Sequence, residues 1–353
     1  MTVKIAVIGA GYWSEECHVP GLRETPEAEI VALVGRRKDV VSEQAKRLGI
    51  PKVYTDYQEM FAKEQLDAIT ITTPNNVHKE IAIHAMKKGL HVFCEKPLAL
   101  DSREALAMAL EAENSGVINH VGFTFRFLQG VNKAKEVIAT GLIGKIFHAR
   151  LWAENDSGLA VRPLVWRDTA TLAGSGQLGD MGSHIFDLYR YVTGDEFSSV
   201  YARSLAVQNV RGKDGKKVSA SVDDFNSLMF ETKSQVTGLA VASRVTRGQG
   251  GWSIELFGTE GALRLVYSRG LKDELWYAPK GNEYRLIGVP YIEGDYAMLQ
   301  MMEAFVAEIA NRAPISQGKA ATFYDGLKAQ DVIEACLKSS SMTTSARVDN
   351  GVR

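Results

Sequence analysis

Three polar side chains of this 353-residue sequence combine a reactive type with an informative spacing. Glu95 and Lys96 directly follow a short apolar run, and a lysine at the end of a buried strand of an α/β sheet points into the ligand crevice. Asp180 and His184 are four residues apart, so on a helix they share one face. A carboxylate and an imidazole on one face can bind a metal, orient each other or transfer a proton, and spacing alone does not separate these roles.

Each of these residues also has a plainer interpretation. Lys96 could pair with its neighbour Glu95, and the bond from Lys96 to Pro97 is of the kind that can be cis. Asp180 could cap a helix, and His184 could be an ordinary hydrogen-bonded histidine. No third ligand is evident near Asp180 and His184, so the sequence predicts no metal site.

The N-terminal stretch resembles the start of a dinucleotide-binding unit. An apolar strand over residues 3–8 meets a turn in which Gly9 permits a tight bend and Gly11 allows close approach of a pyrophosphate. The N-terminus of the following helix then offers N–H groups to the phosphates. Ser14 stands where the third glycine of the motif is expected, which weakens the motif and should loosen the loop.

The end of the second apolar strand bears on cofactor choice. An NAD site usually places an acid there to hold the ribose 2′-hydroxyl, whereas an arginine accommodates a 2′-phosphate. Here the acid is replaced by Gly35, and Arg36 and Arg37 follow. The sequence therefore predicts a preference for NADP with NAD possible, the alternative being a solvated basic turn.

The elements that must position these residues alternate regularly in the first third of the chain. Strands are predicted at 3–8, 29–34, 67–73, 91–94 and 117–122, and helices at 15–25, 39–48, 56–63, 77–88 and 101–115. Pro20 should break the first helix, and Asn76 can cap the fourth. The alternation predicts a doubly wound parallel sheet that binds ligands at the carboxyl ends of its strands.

From about residue 123 the pattern changes to runs rich in β-branched and aromatic residues. Strands are predicted at 146–153, 199–205, 225–230, 236–244, 252–258, 262–267 and 274–277, with an exposed hairpin tip near 211–217. Helices are predicted at 128–140, around 298–309 and at 322–339, and the glycine-rich part of 173–187 as a loop. The fold class is therefore an N-terminal Rossmann domain (1–122) followed by an α+β domain (123–353) with a large, mostly antiparallel sheet.

Composition limits the class of protein. A net charge of −1, with 45% hydrophobic and 24% charged residues, gives no electrostatic reason to expect a nucleic-acid or membrane partner. Three scattered cysteines predict neither a disulfide framework nor a zinc site and fit a reducing, cytoplasmic location. The first strand begins at residue 3, which leaves no room for a signal peptide, and no uncharged run could span a bilayer.

Several motifs occur together, in order, over essentially the whole chain. They are Gly9-x-Gly11-Tyr12-Trp13, Thr73-Pro74-Asn75-x-x-His78, Glu95-Lys96-Pro97, Trp166-Arg167, the glycine-rich run with Asp180, His184 and Asp187, Gly258-Thr259-Glu260-Gly261 and Tyr324-Asp325-Gly326-Leu327. In this combination the sequence resembles the family of glucose–fructose oxidoreductases, inositol dehydrogenases and rhizopine-catabolism-type oxidoreductases. The resemblance implies a nicotinamide cofactor, a sugar or cyclitol substrate, and an open sheet that often forms the subunit contact of a homodimer or homotetramer.

The resemblance also implies roles for individual residues. Lys96, Asp180 and His184 match the family's catalytic set. Lys96 would bind the substrate hydroxyl, His184 would accept its proton, and Asp180 would hold a hydroxyl or orient His184. The implied cofactor contacts are Gly9, Gly11, Tyr12, Trp13, Arg36, Arg37, Thr73, Pro74, Asn75, His78, Glu95 and Lys96. The candidate sugar contacts, beside the catalytic set, are Arg126, Trp152, Trp166 and Arg167, with core packing as the alternative for each tryptophan.

The predicted function is therefore an NAD(P)-dependent dehydrogenase of a sugar, sugar derivative or cyclitol. Two alternatives use the same scaffold: a redox-assisted glycoside hydrolase with tightly bound NAD, and a non-catalytic dinucleotide-binding sensor. A sensor has no need of Lys96, Asp180 and His184 together, which argues against that alternative.

Overall fold

A computed structural model of the chain describes residues 1–160, 162–207, 209–211, 217–248, 250–268, 273–289, 296–311 and 318–348. Its strands are β1 (Val3–Ile8), β2 (Ala28–Val34), β3 (Lys52–Tyr54), β4 (Ala68–Ile71), β5 (His91–Cys94), β6 (Asn119–Val121), β7 (Ile146–Glu154), β8 (Phe197–Leu205), β9 (Asn209–Arg211), β10 (Lys217–Ser219), β11 (Phe225–Thr232), β12 (Thr237–Ser243), β13 (Gly251–Gly258), β14 (Gly261–Ser268), β15 (Asp273–Pro279), β16 (Arg285–Ile287) and β17 (Ala346–Arg347).

The α-helices follow the same order. They are α1 (Val19–Arg23), α2 (Lys38–Arg47), α3 (Tyr57–Lys63), α4 (His78–Lys87), α5 (Ser102–Ser115), α6 (Gln129–Ala139), α7 (Ala170–Ala173), α8 (Ser183–Thr193), α9 (Tyr296–Asn311) and α10 (Phe323–Met342). Two wider π-helical turns, Ser14–His18 and Leu178–Gly182, lead directly into α1 and α8. Such turns are frequent at functional sites.

The first sheet has six parallel strands in the order β3-β2-β1-β4-β5-β6. This is the strand order of a doubly wound dinucleotide-binding fold, so the predicted fold class is confirmed. The order reverses between β1 and β4, and ligands of such sheets bind beyond the carboxyl ends of the strands at that point. Strand β3 was not predicted, because this short edge strand has no fully buried residue to give an apolar signal.

Contacts between residues divide the chain into two compact units. The first contains residues 1–127 together with 293–327, and the second contains 128–292 together with 328–353. The first unit thus includes α9, which the sequence analysis assigned to the domain beginning at residue 123. Met301, Met302 and Phe305 of α9 are buried, and Met302 packs so closely on Gly21 of α1 that a Cβ there would lie 2.7 Å from its Cγ. These methionines are core residues.

The second unit contains a nine-stranded sheet in the order β16-β15-β14-β13-β7-β12-β11-β8-β17. Only the pair β7 and β12 is parallel among these strands, so the predicted mostly antiparallel sheet is confirmed. One face is covered by α8, where the Tyr189 ring lies 5.2 Å from the Phe197 ring and 5.8 Å from the Phe230 ring. The other face carries the exposed side chains of the alternating strands.

Strands β9 and β10 form a separate antiparallel pair. The hairpin tip predicted near 211–217 falls mainly on 212–216, which lie outside the described residues. In the ranges that the structure describes, no helix combines the length and apolar character needed to cross a bilayer.

Candidate functional site

The turn after β1 has the geometry that a dinucleotide requires. Gly9 has φ +125°, and a Cβ there would collide with Thr72 beyond β4. Only glycine combines this conformation with this close approach. A Cβ on Gly11 would meet nothing within 4 Å, so this part of the turn is open to a ligand. Tyr12 next to it is exposed, and Trp13 is half-buried with its ring 5.4 Å from that of Tyr12.

Ser14 stabilises this turn, contrary to the expectation that it would loosen it. Its side chain is fully buried, and its hydroxyl donates to the Gly11 carbonyl at 2.7 Å. Gln44 of α2 donates to the same carbonyl at 3.2 Å. A serine therefore replaces the third glycine by adding a hydrogen bond where a glycine would supply only space.

The end of β2 excludes an acid at position 35 for a steric reason. A Cβ on Gly35 would lie 2.7 Å from the Cβ of Ala10 and 3.1 Å from that of Val41. Arg36 and Arg37, which follow, are both exposed. Two exposed arginines at this strand end are compatible with either a 2′-phosphate or a solvated turn.

His78 supports two loops at the carboxyl ends of β4 and β5. The side chain is fully buried, with Nε2 3.0 Å from the Thr73 carbonyl and Nδ1 3.2 Å from the Leu98 carbonyl. Burial lowers the pKa of His78 below 6.5 despite these two carbonyls. The side chain was predicted to line the cofactor, but its placement inside the protein suits a role in holding Thr73 and its neighbours.

The segment between Thr73 and His78 differs locally from the prediction. Residues Asn75–Val77 form a 3₁₀ turn, and α4 begins at His78 with Val77 in the capping position and no side-chain cap. The prediction that Asn76 caps this helix was therefore wrong. Asn75 is buried, whereas Thr73 and Pro74 are half-buried.

We expect the stability of the protein to fall in mild acid because His78 must then take up a proton. Its folded-state pKa lies below the ordinary 6.5, so the unfolded chain binds more protons there. This contribution to the free energy of unfolding is complete above pH 6.5 and is lost as the pH falls through the folded pKa, by up to about 1.4 kcal/mol per pH unit.

The measurement is urea unfolding between neutral and mildly acidic pH. The His78→Gln variant should show a flatter pH dependence than the wild type. Asn76→Ala, a change just before the same helix that removes no titratable group, serves as the control and should keep the wild-type slope. Equal slopes for the wild type and His78→Gln would contradict this assignment.

Lys96 lies at the carboxyl end of β5, as predicted. It is half-buried, and the Lys96–Pro97 bond is cis. Glu95 is buried, and its Oε1 lies 2.9 Å from Nε2 of His18. The carboxylate of Glu95 is thus held by a histidine of another element, in addition to the charge of its neighbour Lys96.

Arg126 does not have the exposure expected of a sugar contact. It is 3% exposed, and its Nη2 lies 3.0 Å from Oδ1 of Asp325. Asp325 also accepts from the backbone N–H of Thr322 at 2.9 Å. The arginine therefore joins the segment after β6 to the start of α10, and it links two of the motifs found in the sequence.

Asp180 and His184 lie on one continuous helical run in the second unit. Asp180 is in the π-helical turn Leu178–Gly182 and is exposed, and His184 is 5% exposed in the first turn of α8. The prediction of a loop was wrong for residues 178–182. Four residues along a helical run place the carboxylate and the imidazole about one turn apart, as the proposed chemistry requires.

Asp223, which the sequence analysis did not identify, fixes the start of this helical run. Its carboxylate accepts from the N–H of Gly176 at 2.7 Å and of Leu178 at 2.8 Å, and its carbonyl accepts from Gln177 at 3.0 Å. Three successive N–H groups therefore bond to one buried residue, whose charge also suits a helix N-terminus. This explains why a glycine-rich stretch is helical, and only the fold reveals it, since Asp223 is remote in sequence.

Asp187 lies in the protein interior beside an arginine of the same helix. It is fully buried, and its Oδ1 lies 3.8 Å from Nη1 of Arg190 on the next turn. Among the residues that the structure describes, no three His, Cys, Asp or Glu side chains come together as a metal site would require.

The residues around Trp166 form a separate polar cluster. The guanidinium of Arg167 lies 4.4 Å from the Trp166 ring centre, and both side chains are half-buried. Asp168 beside them is buried and accepts from Arg162 at 2.5 Å. Burial alone would raise the pKa of Asp168, but Arg162 and, less strongly, Arg244 lower it, so the carboxylate stays ionised.

Trp152 lies on the open face of the nine-stranded sheet. On β7 the alternate residues Ala149, Leu151 and Ala153 are buried on the face covered by α8, and Trp152 points to the other face. Within one chain Trp152 is therefore separated from His184 by the sheet. The strand register therefore does not support the prediction that Trp152 contacts the substrate together with His184.

Two family models match this chain, one in each half. Residues 3–123 match an oxidoreductase family model with an NAD-binding Rossmann fold, and residues 131–264 match the GFO/IDH/MocA C-terminal domain. The chain belongs to the GFO/IDH/MocA oxidoreductase family. The resemblance inferred from the motifs is thereby confirmed.

Characterised members of this family are similar over most of their length. Levoglucosan dehydrogenase of Pseudarthrobacter phenanthrenivorans is 31% identical, with 86% of each chain covered. Myo-inositol 2-dehydrogenase of Thermotoga maritima is 33% identical, with 88% of this chain and 90% of that protein covered. A solved levoglucosan dehydrogenase in complex with NADH and levoglucosan has a TM-score of 0.89 at 25% identity, covering 99% of this chain and all (100%) of that one.

Proposed function

We propose that this GFO/IDH/MocA oxidoreductase is an NAD(P)-dependent dehydrogenase that oxidises a hydroxyl carbon of a sugar, sugar derivative or cyclitol, or reduces the corresponding ketone. The observation that carries the proposal is Lys96, a half-buried lysine at the carboxyl end of β5 in a dinucleotide-binding sheet. Relatives named as levoglucosan and myo-inositol dehydrogenases support the substrate class.

The proposed mechanism divides the work among three side chains. Lys96 donates a hydrogen bond to the reacting hydroxyl and stabilises the alkoxide charge that develops as the proton leaves. His184 accepts that proton in oxidation and returns it in reduction. Asp180, one helical turn away, orients His184 or holds a neighbouring hydroxyl. A bound nicotinamide would supply the hydride chemistry, and the open turn at Gly9 and Gly11 fits its pyrophosphate.

Of the four further sugar-contact candidates, we retain Trp166 and Arg167. An aromatic face and a forked donor suit a polyhydroxylated ring, and both side chains are half-buried. Arg126 is engaged with Asp325, and Trp152 lies across the sheet from His184. We therefore do not propose these two as contacts within one chain.

The test is reduction of NAD and of NADP, followed by the absorbance of the reduced nicotinamide, across cyclitols, aldoses, sugar acids and glycosides. The panel includes levoglucosan and myo-inositol. We expect a rate with one sugar class. The proposal would be contradicted if the protein bound a dinucleotide but showed no rate with any sugar of the panel or with the corresponding ketones. Redox hydrolysis would instead release sugar without net reduction, and the relatives compared above lend it no support.

We further propose a preference for NADP over NAD. The packing around Gly35 excludes an acidic side chain at that position, and the exposed Arg36 can bind a 2′-phosphate. Arg36→Ala should weaken NADP binding about 10- to 100-fold more than NAD binding, the range of one or two charge-assisted hydrogen bonds. Fluorescence titration with NADPH and NADH measures both constants. Arg103→Ala, a surface arginine of α5, is the control. Equal losses for the two cofactors would refute the role of Arg36.

We also propose that the protein is a homodimer or homotetramer formed through the open sheet face. Tyr201, Met229 and Leu239 are exposed on that face, and the strand register places Met229 beside both of the others. A contiguous apolar row of this kind is typical of an interaction surface. Light scattering should give a multiple of the chain mass that Met229→Glu reduces, and a monomeric wild type would refute the proposal.

We propose a reducing, cytoplasmic location on the basis of the cysteines. The chain has three cysteines, of which Cys94 and Cys336 are buried thiols outside any disulfide. Fractionation of the source cells tests this directly.

A further inference from the structure

The first unit contains a buried histidine–glutamate pair whose glutamate directly precedes Lys96. Nε2 of His18 lies 2.9 Å from Oε1 of Glu95, and the two side chains are 0% and 9% exposed. The other carboxylate oxygen, Oε2, accepts from the backbone N–H of Lys96 at 3.2 Å. One carboxylate thus joins His18 to the residue that we propose to be catalytic.

The surroundings allow this carboxylate little freedom. A Cβ on Gly122, after β6, would lie 3.1 Å from both oxygens of Glu95, which is closer than an ordinary van der Waals contact. The His18 ring packs edge-on against Phe93 of β5, with the ring centres 5.1 Å apart. Loss of the His18 contact would leave the carboxylate buried without its strongest partner.

The charge of Glu95 depends on His18. Burial alone would raise the pKa of Glu95, but the hydrogen bond and charge of His18, followed by the charge of Lys96, lower it below its ordinary value. The other titratable neighbours are Cys94, on the same strand end, and His78 from α4. The carboxylate is therefore ionised at neutral pH and interacts with the charge of Lys96.

His18 is also connected to the phosphate-binding turn. It ends the π-helical turn Ser14–His18, which follows directly on residues 9–13. That turn is tied to Gly11 by the Ser14 hydroxyl and by the N–H of Glu15, which donates to the Gly11 carbonyl at 3.3 Å. The π-helical turn therefore connects the dinucleotide turn to His18, and the hydrogen bonds of Glu95 connect His18 to Lys96.

We propose that His18 is a positioning residue: by holding Glu95, it fixes the strand end that presents Lys96 and links it to the dinucleotide-binding turn. This inference rests on the proposed function of Lys96. His18 is fully buried, so we infer that it acts through Glu95.

The chain offers a matched control for this pair. Nε2 of His120 lies 2.8 Å from Oε2 of Glu308, and these side chains are 4% and 9% exposed. This second buried His–Glu pair joins β6 to α9 in the same unit, and its histidine ring also faces Phe93 and Phe305.

The experiment compares His18→Leu and His18→Gln with His120→Leu in the full-length protein, using the panel sugar that gives the highest wild-type rate. His18→Leu should lower kcat about 100-fold, the effect of a displacement of about 1 Å at a reacting group. The dissociation constant for NADH, measured by fluorescence, should change by less than about threefold. His18→Gln, whose amide can still donate to Glu95, should recover most of the loss.

The control separates positioning from folding. His120→Leu should lower the melting temperature as much as His18→Leu but leave kcat within about twofold of the wild type, because the two pairs have similar burial. Adding His18→Leu to Lys96→Ala should cause no further loss of kcat, since His18 acts through Lys96. If His18→Leu does not fold, Glu95→Gln, which keeps the shape and removes the charge, provides the same comparison.

Two outcomes would overturn the inference: equal loss of kcat in the His18 and His120 variants, or a normal kcat in His18→Leu. These are distinct from a failure of the proposed function. If Lys96→Ala itself turned over normally, the role of Lys96 would fail. If Lys96→Ala were inactive while His18→Leu remained fully active, only the role of His18 would fail.

Discussion

Replacement of Lys96 by alanine should lower kcat about 10³-fold while dinucleotide binding changes by less than about threefold. The ammonium is proposed to stabilise charge that exists only as the hydroxyl loses its proton, and the loss of one such donor typically costs 10²- to 10³-fold or more. The turn that we propose to bind the pyrophosphate contains Gly9 and Gly11, and the substitution leaves both unchanged.

The measurements are steady-state rates and NADH titration for Lys96→Ala and for Lys79→Ala. Lys79 belongs to the same unit and pairs with Glu104 at 2.6 Å, so its loss removes a lysine without affecting the site. Near-normal turnover of Lys96→Ala would remove this lysine from the mechanism.

Replacement of His184 by alanine should lower kcat by about 10²- to 10⁴-fold, the range observed for removal of a general acid–base group. Because this histidine is proposed to accept the proton in oxidation, the acid limb of the kcat/KM profile should also disappear in His184→Gln. The two variants test proton transfer by His184 in two independent ways, one through kcat and the other through the pH dependence of kcat/KM.

The control for His184 is His148→Ala in the same unit. His148 lies on the nine-stranded sheet, and its Nδ1 lies 3.4 Å from the Thr237 hydroxyl. A His184→Gln variant that kept the acid limb of the wild type would show that another group carries the proton. Unaltered kcat in His184→Ala would refute the assignment outright.

Much of the fold could be predicted because its signals are local. The apolar runs of β1, β4 and β5 are nearly continuous, as strands buried on both faces must be, and glycines end several of the intervening helices. The same holds for the alternating strands of the second sheet. The short edge strands β3, β16 and β17 were not predicted, since they bury few residues and owe their conformation to a neighbouring strand.

Local errors arose where a distant residue decides the conformation. From the sequence, residues 178–182 were predicted as a glycine-rich loop. In the structure they are helical, because Asp223 accepts hydrogen bonds from three successive N–H groups. The replacement of a glycine by Ser14 appears as a defect until its hydroxyl is seen bonded to Gly11. From the sequence, Arg126 was a candidate sugar contact. In the structure it pairs with Asp325, which is 199 residues later in the chain.

The sequence by itself determined the doubly wound nucleotide-binding sheet, the mostly antiparallel second sheet, and the family to which the chain belongs. These follow from hydrophobic periodicity and from motifs whose residues are neighbours along the chain. Only the tertiary structure decided that His18 holds Glu95, that His78 supports two loops, and that Trp152 lies on the sheet face opposite α8. The physical reason is that hydrogen bonds, burial and strand register join residues that are far apart in sequence, and no spacing along the chain records those contacts.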